Sequence, residues 1–249
     1  MIIDNPKAEH IPTLRALWQQ AFGDSQAFLD RFFETGFAYD RCRCVFREGQ
    51  PVAAVYLFDG TFAGEKIAYL YALAVEKHHQ KQGLSRLLLA DTHAHLQQSG
   101  YAGAVMEPAT ESLGQYYARL GYRSFGGRKD HSYQMGDGEV PVTELGDLAY
   151  EQLRQKLLPS GGIAQEGAMT RFLQSQAKLL GGEGFVAAVS REENRILEFL
   201  GQEEKIPGLL KTLHMASAVV RTCGGAPQSM YLDFSGRDVL PAYFGLPMD

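Results

Sequence analysis

The chain has 249 residues, 45% of them apolar and 21% charged, which is ordinary for a globular protein that buries one large core or two smaller ones. A net charge of −5 argues against a dedicated nucleic-acid surface, where lysine and arginine cluster. No run of about 18 apolar residues predicts a membrane span, and the first residues lack the basic and apolar regions of a signal peptide. Three cysteines, of which Cys42 and Cys44 lie two apart and are poorly placed to bridge each other, favour a reduced, cytoplasmic protein.

The first half of the chain predicts helices and strands in alternation. Apolar residues at helical spacing predict one or two helices over 11–34, and strands at 43–47 and 52–58 flank a turn at 48–51. The predicted strand 65–75 is apolar on both faces, which is typical of a central strand covered on both sides. After it the pattern predicts a helix over 84–98, a strand over 102–106, a helix over 112–120 and a strand from Tyr122.

Small, acidic and proline residues cluster at 136–141 and predict a boundary between two domains, 1–135 and 141–249. The signals beyond it are weaker. They predict helices at 145–158 and 169–180, a hairpin of 185–189 and 196–200, a helix near 209–214, and strands near 218–221 and 230–234. The fold class is therefore α/β, a mixed twisted sheet flanked by helices with a smaller C-terminal α/β region.

The turn at 80–85 joins the predicted central strand to the helix after it. Backbone N–H groups at such a helix start converge on one point, and the helix macrodipole adds partial positive charge, which suits a pyrophosphate. Gly83 lets a ligand approach the main chain, and Ser85 is small enough for the same purpose. The alternative is an ordinary surface turn of an α/β fold. The sequence contains neither a G-x-x-x-x-G-K-[ST] loop nor a G-x-G-x-x-G motif.

This turn, Gln-Lys-Gln-Gly-Leu-Ser, resembles the Q/R-x-x-G-x-G/A signature of the GNAT superfamily of acyl-CoA N-acyltransferases. It departs from the signature twice, since Lys81 stands where glycine is usual and Ser85 where glycine or alanine is commoner. Residues 117–122, Tyr-Ala-Arg-Leu-Gly-Tyr, are similar to the second motif of that superfamily, Y-x-x-x-G-F/Y. The resemblance implies acetyl-CoA as co-substrate. It implies that its pyrophosphate is held by Gln80, Lys81, Gln82, Gly83, Leu84, Ser85 and Arg86, and its pantetheine arm by the backbone of Leu73, Ala74 and Val75.

Two side chains are predicted to carry the chemistry. A thiolate leaving group has a conjugate thiol of pKa about 8.5, and a phenol of pKa about 10 can protonate it as it departs. The resemblance assigns that role to Tyr117, which could instead be a core aromatic on its helix. Glu107, at the end of its strand, is the candidate base or substrate anchor. Its alternative is a solvated charge, with ordered water as the base.

The family resemblance covers residues 1–130, and within the superfamily residues 24–37 and 69–75 look like the Eis-type aminoglycoside acetyltransferases. Residues 241–246 hint at a second, degenerate GNAT-like half without a coenzyme A loop. We therefore expect an N-acetyltransferase that acts on a small-molecule or peptide amine. A homodimer is compatible with the sequence, and no nucleic-acid or membrane partner is expected. The alternative is a non-catalytic acyl-CoA-binding or sensing module. The spacing of His93 and His95 does not predict a metal site.

Overall fold

The computed structural model describes residues 1–246, so the last three residues of the predicted C-terminal domain lie outside the described residues. The described part contains seven α-helices: α1 (Ile11–Phe22), α2 (Gln26–Arg31), α3 (Leu84–Gln98), α4 (Glu111–Ala118), α5 (Asp147–Leu157), α6 (Ala168–Gln176) and α7 (Ile206–Thr212). Shorter helical turns lie at Ala8–His10, Phe32–Gly36, Tyr39–Arg41, Lys77–His79 and Glu203–Lys205.

Within residues 1–246, fourteen strands form two mixed sheets, which confirms the α/β fold class. They are β1 (Ile2–Asp4), β2 (Cys42–Arg47), β3 (Gln50–Phe62), β4 (Glu65–Val75), β5 (Gly103–Met106), β6 (Arg123–Phe125), β7 (Arg128–Gln134), β8 (Thr143–Glu144), β9 (Ala164–Gln165), β10 (Ala177–Gly182), β11 (Phe185–Ser190), β12 (Arg195–Gly201), β13 (Ser217–Cys223) and β14 (Ser229–Asp233).

The first sheet has the order β1-β2-β3-β4-β5-β14-β6, with β9 paired to β3. The hairpins β2–β3 and β3–β4 turn through Glu48-Gly49 and Ala63-Gly64, and all four residues have φ between 49° and 78°. Two-residue turns of this left-handed kind match the twist of the flanking strands and hold a tight antiparallel register. Strand β4 then pairs in parallel with β5, so it lies in the sheet centre as its two apolar faces predict.

The second sheet, in the order β7-β13-β12-β11-β10-β8, repeats the connectivity of the first. Strands β10, β11 and β12 are antiparallel, α7 follows, and β13 pairs in parallel with β12. In the first sheet, β2, β3 and β4 are followed by α3 and then by the parallel β5. The C-terminal region therefore repeats the core connectivity of the first half, as expected for the second half predicted from the sequence.

The two halves exchange strands. Strand β14, near the described end of the chain, inserts between β5 and β6 of the first sheet. Strand β7, which belongs by sequence to the first half, pairs along its full length with β13 of the second sheet. Each sheet is thus completed by a strand from the other half. The predicted division at 136–141, which falls just after β7, stays a prediction.

The first sheet is covered on both faces. One face packs against α3 and α4 through Leu88, Leu96 and Tyr117. The other face packs against α1, α2 and α6, where Trp18 and Phe32 are buried with ring centroids 4.5 Å apart. Aromatic pairs at such separations add to the stabilisation from area burial alone. A separate cluster joins the second sheet to α7.

One predicted helix is wrong at its C-terminal end. The helix predicted over 169–180 ends at Gln176, and residues 177–182 form β10. A short apolar run is compatible with a helix or a strand. Here β10 pairs with β11 over six residues, and this pairing stabilises the strand. Strand β7 gives no apolar signal, because most of its residues after Arg128 are exposed. Within residues 1–246, no helix has both the length and the apolar character needed to cross a membrane.

Candidate active site

Strands β4 and β5 separate at the centre of the first sheet. Their pairing runs from Ile67–Gly103 to Tyr69–Val105 and ends there, although β4 continues to Val75. A cleft of about 1170 Å³ opens at this point. Its walls are the end of β4, the segment from β5 to α4, helices α2 and α6, and the start of β12.

A β-bulge shapes the part of β4 that lines the cleft. Ala54 of β3 pairs with Ala74, and Tyr56 of β3 pairs with Tyr71. Two residues of β4, Ala72 and Leu73, therefore lie opposite the single β3 residue between Ala54 and Tyr56. Ala72 has φ +50°, a conformation that costs a non-glycine residue roughly 1–2 kcal/mol. The bulge leaves one residue out of the strand ladder, next to the open edge of β4. An alanine gives no sequence signal for a left-handed residue, so this feature was not predicted.

The three residues predicted to bind the pantetheine arm do not share one environment. Leu73 lines the cleft, whereas Ala74 and Val75 do not. Ala74 belongs to the core, and the Val75 carbonyl accepts a hydrogen bond from the Gln80 side chain at 3.2 Å. That bond attaches the turn at 80–85 to the end of β4.

The turn that begins α3 contains two left-handed residues, Lys81 at φ +59° and Gly83 at φ +76°. The lysine thus adopts the conformation that glycine, the usual residue of the family here, reaches without strain. Two side chains hold the turn: Gln82 donates to the His78 carbonyl at 3.2 Å and accepts from Arg47 at 2.9 Å.

The helix start leaves backbone N–H groups without partners inside the helix. The first hydrogen bond of α3 runs from the Leu87 N–H to the Gly83 carbonyl at 3.1 Å. The N–H groups of Leu84, Ser85 and Arg86 precede it and have no acceptor within the helix. A Cβ placed on Gly83 would meet nothing within 4 Å. These residues therefore fit an anionic ligand such as a pyrophosphate.

Tyr117 lies on α4 and faces the cleft. Gly121, at φ +93°, ends this helix, and the N–H of Tyr122 bonds back to the Tyr117 carbonyl at 3.2 Å. The Tyr117 side chain lines the cleft and is only 7% exposed. Burial, with a smaller contribution from Tyr116, raises the pKa of Tyr117 to about 12. The phenol therefore stays protonated at physiological pH.

Glu107 also lines the cleft, and two distant residues hold its carboxylate. Its Oε1 accepts from Arg128 at 2.9 Å, and its Oε2 accepts from Ser229 at 2.7 Å. The Arg128 side chain is 7% exposed and that of Glu107 11% exposed. Each carboxylate oxygen has a second lone pair, so the group can still accept a hydrogen bond from a ligand. The solvated strand-end charge considered for Glu107 does not describe this environment.

The turn at 80–86 does not line the cleft, but a side-chain contact links the two. Ser85 Oγ lies 3.3 Å from the hydroxyl of Tyr116, the neighbour of Tyr117 on α4. The structure therefore brings Leu73, Glu107 and Tyr117 to one cleft and places the anion-fitting turn beside it.

The described end of the chain forms another part of the cleft wall through Leu246. The Leu246 carbonyl accepts from Gln165 at 2.8 Å, and Gln165 in turn accepts from Arg154 at 3.0 Å. Arg154 is paired with Glu198 at 2.6 Å, and both side chains are at most 2% exposed. Tyr243 donates to the same glutamate at 3.0 Å. A buried ionic network thus holds this segment in place, and no local sequence pattern predicted it.

Comparison with known proteins agrees with this architecture. A family profile described as the acetyltransferase (GNAT) domain matches residues 3–125. Solved structures with a similar fold include GCN5-related N-acetyltransferases from Kribbella flavida (TM-score 0.72, 14% identity, covering 94% of this chain and 71% of that chain) and Anabaena variabilis (0.69, 14%, 92% and 72%). Another is Eis1 from Mycobacterium abscessus (0.68, 11%, 94% and 74%). No curated protein sequence matches the chain.

Residues 3–125 therefore form an acetyltransferase domain of the GNAT family. At identities of 11–14% the solved structures show the fold alone, and their similarity extends over both halves of the chain. The predicted likeness to the Eis-type group is confirmed for the fold. Membership of an acetyltransferase family favours an enzyme over the non-catalytic acyl-CoA-binding module.

Proposed function

We propose that this protein is an acetyl-CoA-dependent N-acetyltransferase that moves an acetyl group directly to a primary amine while both substrates are bound. The observation that carries the proposal is the cleft between β4 and β5, which has Tyr117 and Glu107 on its walls and the N-terminus of α3 beside it. No metal or second cofactor enters the proposal.

Residues of the first half would hold the co-substrate. The N–H groups at 84–86 would bind the pyrophosphate, with Lys81 and Arg86 supplying positive charge. The edge of β4 beyond Tyr69 would bind the pantetheine arm, because its pairing with β5 has ended. When bound, acetyl-CoA supplies the acetyl group and leaves as the free thiol.

Tyr117 acts as the general acid in this proposal. It donates its phenolic proton to the sulfur as the carbon–sulfur bond breaks. Transfer from a phenol of pKa about 12 to a thiolate whose thiol has pKa about 8.5 is unfavourable by ~5 kcal/mol, at 1.36 kcal/mol per unit. The transfer is therefore coupled to formation of the carbon–nitrogen bond and to loss of a proton from the amine, which make the overall step favourable.

Glu107 removes that amine proton, either directly or through a water molecule. Neutralising an amine of pKa about 10.4 at pH 7 costs roughly 4.6 kcal/mol, so a proton acceptor near the amine lowers the barrier. Arg128 and Ser229 hold the Glu107 carboxylate in place for this role. The products are the amide and the thiol. The protonated amine loses one proton to Glu107 or water before attack and a second as the amide forms, and this second proton restores the Tyr117 phenol after its own proton has passed to sulfur.

Isothermal titration of acetyl-CoA tests the proposal. Gly83→Glu places an anion beside the pyrophosphate and should weaken binding at least about 10-fold. Gly100→Glu is the matched control: Gly100 lies at the other end of α3, its φ is +77° against +76° for Gly83, and neither Cβ would meet an atom within 4 Å. Both variants carry the same strain and charge change.

The outcomes separate the parts of the proposal. No binding to the wild type would remove acetyl-CoA as co-substrate. Equal binding of acetyl-CoA to both variants would show that the turn at 80–86 is not its pyrophosphate site. Binding without acetylation of any amine in a broad screen would favour the non-catalytic acyl-CoA-binding module.

A further inference from the structure

The segment that leads from β4 into the turn at 80–86 is attached to the body of the first half where it leaves the sheet. The backbone N–H of Glu76 donates to the carbonyl of Val52 in β3 at 2.8 Å. The next N–H, that of Lys77, donates to the side-chain oxygen of Gln20 on α1 at 3.1 Å. The direction in which the chain leaves β4 is therefore set by contacts with both β3 and α1.

The Glu76 side chain folds back over this segment. Its Oε2 accepts a hydrogen bond from the His78 N–H at 2.9 Å, and His79 Nδ1 lies 2.8 Å from the same oxygen. Because an ionised carboxylate only accepts hydrogen bonds, the Nδ1 atom carries the hydrogen of this contact. One carboxylate oxygen thus caps the short helical turn Lys77–His79, which leads into the turn at 80–86.

Glu76 is ionised in this position. Burial raises the pKa of its carboxyl, but the hydrogen bonds from His79 and His78 lower it by more, so the pKa lies below its ordinary value. Hydrogen bonds to an ionised acceptor are stronger than those between neutral groups. Glu76 therefore holds the His78 backbone and the His79 ring more firmly than a neutral side chain would.

A second contact connects His78 to the turn itself. The His78 carbonyl accepts a hydrogen bond from Gln82 Nε2 at 3.2 Å, and Gln82 directly precedes Gly83. Glu76 and Gln82 thus bond to the N–H and the carbonyl of one residue. A continuous set of hydrogen bonds therefore joins β3, through Glu76 and His78, to the start of α3.

The turn depends on such contacts because of Lys81. Its φ of +59° lies in the left-handed region, which residues with a side chain rarely adopt and which glycine reaches without strain. Without contacts from outside, the turn would spend little time in the conformation that directs the N–H groups of 84–86 to one point. The affinity for a ligand falls in proportion to the population of the conformation that binds it.

We propose that Glu76 is a positioning residue for the co-substrate, which holds the turn at 80–86 in the conformation that binds the pyrophosphate of acetyl-CoA. This inference rests on the proposed acetyltransferase function. The sign of the effect is diagnostic, because Glu76 is itself an anion beside an anion-binding turn. By charge alone its removal would strengthen the binding of a pyrophosphate, whereas the loss of positioning weakens it.

Isothermal titration of acetyl-CoA into three variants separates position from charge. Glu76→Ala removes both hydrogen bonds and should raise Kd about 10-fold or more, the usual effect of losing bonds to a charged group. Glu76→Gln removes the same charge but keeps an oxygen that can accept from His78, so its Kd should stay within about 3-fold of the wild type. Glu34→Ala is the control for the loss of one negative charge, because Glu34 is exposed on the helical turn Phe32–Gly36.

Hydrogen exchange gives a readout that does not depend on binding. Without ligand, the backbone amide of His78 should exchange about 10-fold faster in Glu76→Ala than in Glu76→Gln, because only the first variant lacks its acceptor. A cooperative unfolding transition in urea, expected for both variants, shows that two folded proteins are being compared.

Binding of acetyl-CoA to Glu76→Ala that equals binding to Glu34→Ala, or that is tighter than in the wild type, would overturn the role of Glu76 and leave the acetyltransferase function standing. Equal weakening in Glu76→Ala and Glu76→Gln would also overturn it, since charge and not position would then be responsible. So would an unchanged exchange rate of the His78 amide in Glu76→Ala. No binding to the wild type would remove the proposed function and the role of Glu76 together.

Discussion

Removal of the Tyr117 hydroxyl gives the sharpest test of the catalytic geometry. Tyr117→Phe deletes one oxygen and keeps the ring, whose centroid lies 5.2 Å from that of Tyr116 and 6.0 Å from that of Tyr122. The packing of α4 against the first sheet is therefore retained, and the free energy of unfolding should change by less than ~1 kcal/mol. Loss of a general acid usually lowers turnover about 10²- to 10⁴-fold, or by roughly 2.7–5.4 kcal/mol in the barrier.

The expected result is a kcat lower by about 10²-fold or more, with the Kd for acetyl-CoA unchanged within about 2-fold. Release of the free thiol measures kcat, and titration calorimetry measures Kd. Tyr116→Phe is the matched control, since it removes the neighbouring hydroxyl, which contacts Ser85 Oγ at 3.3 Å, and leaves Tyr117 intact. Turnover of this control should stay within about 3-fold of the wild type.

The pH profile gives a second, independent readout of the same residue. In the proposed mechanism activity requires the protonated phenol, and a pKa raised to about 12 extends the pH range over which Tyr117 is protonated. Wild-type kcat should therefore show no alkaline loss from Tyr117 at pH 10, where an unperturbed tyrosine would be half ionised. Unchanged kcat in Tyr117→Phe, or a fall centred near pH 10 that the variant abolishes, would refute the reasoning.

Two further predictions concern the fold. A fragment of residues 1–135 lacks β14, which pairs with both β5 and β6, so it should show no cooperative unfolding transition in urea; a transition matching the full chain would establish 1–135 as an independent domain. Burial lowers the pKa of His93 to about 4, and its Nε2 lies 2.7 Å from the Tyr122 hydroxyl. The unfolded chain therefore binds a proton below pH 6.5 that the folded chain does not bind until about pH 4, so stability falls across this window as the pH is lowered. His93→Gln should remove about 3 kcal/mol of that fall between pH 7 and pH 4, measured by urea denaturation, and an identical fall in both proteins would contradict this account.

Much of the first half could be predicted because its signals are local. The alternation in β4, the left-handed Gly83 before α3 and the left-handed Gly121 after α4 depend on residues within a few positions of one another. Backbone conformation and helix ends are set over this range, so the two motifs identified the family before any long-range contact was known. The roles of Tyr117 and Glu107 in the reaction stay predictions.

Long-range pairing decided what local patterns could not. Glu107 is held by Arg128 and Ser229, the latter 122 positions away, and that contact exists only because β14 inserts between β5 and β6. By itself the sequence determined most of the secondary structure of the first half and the anion-fitting turn, because these depend on neighbouring residues. Only the tertiary structure decided which charges meet across the cleft, because chain segments far apart in sequence must first close against each other.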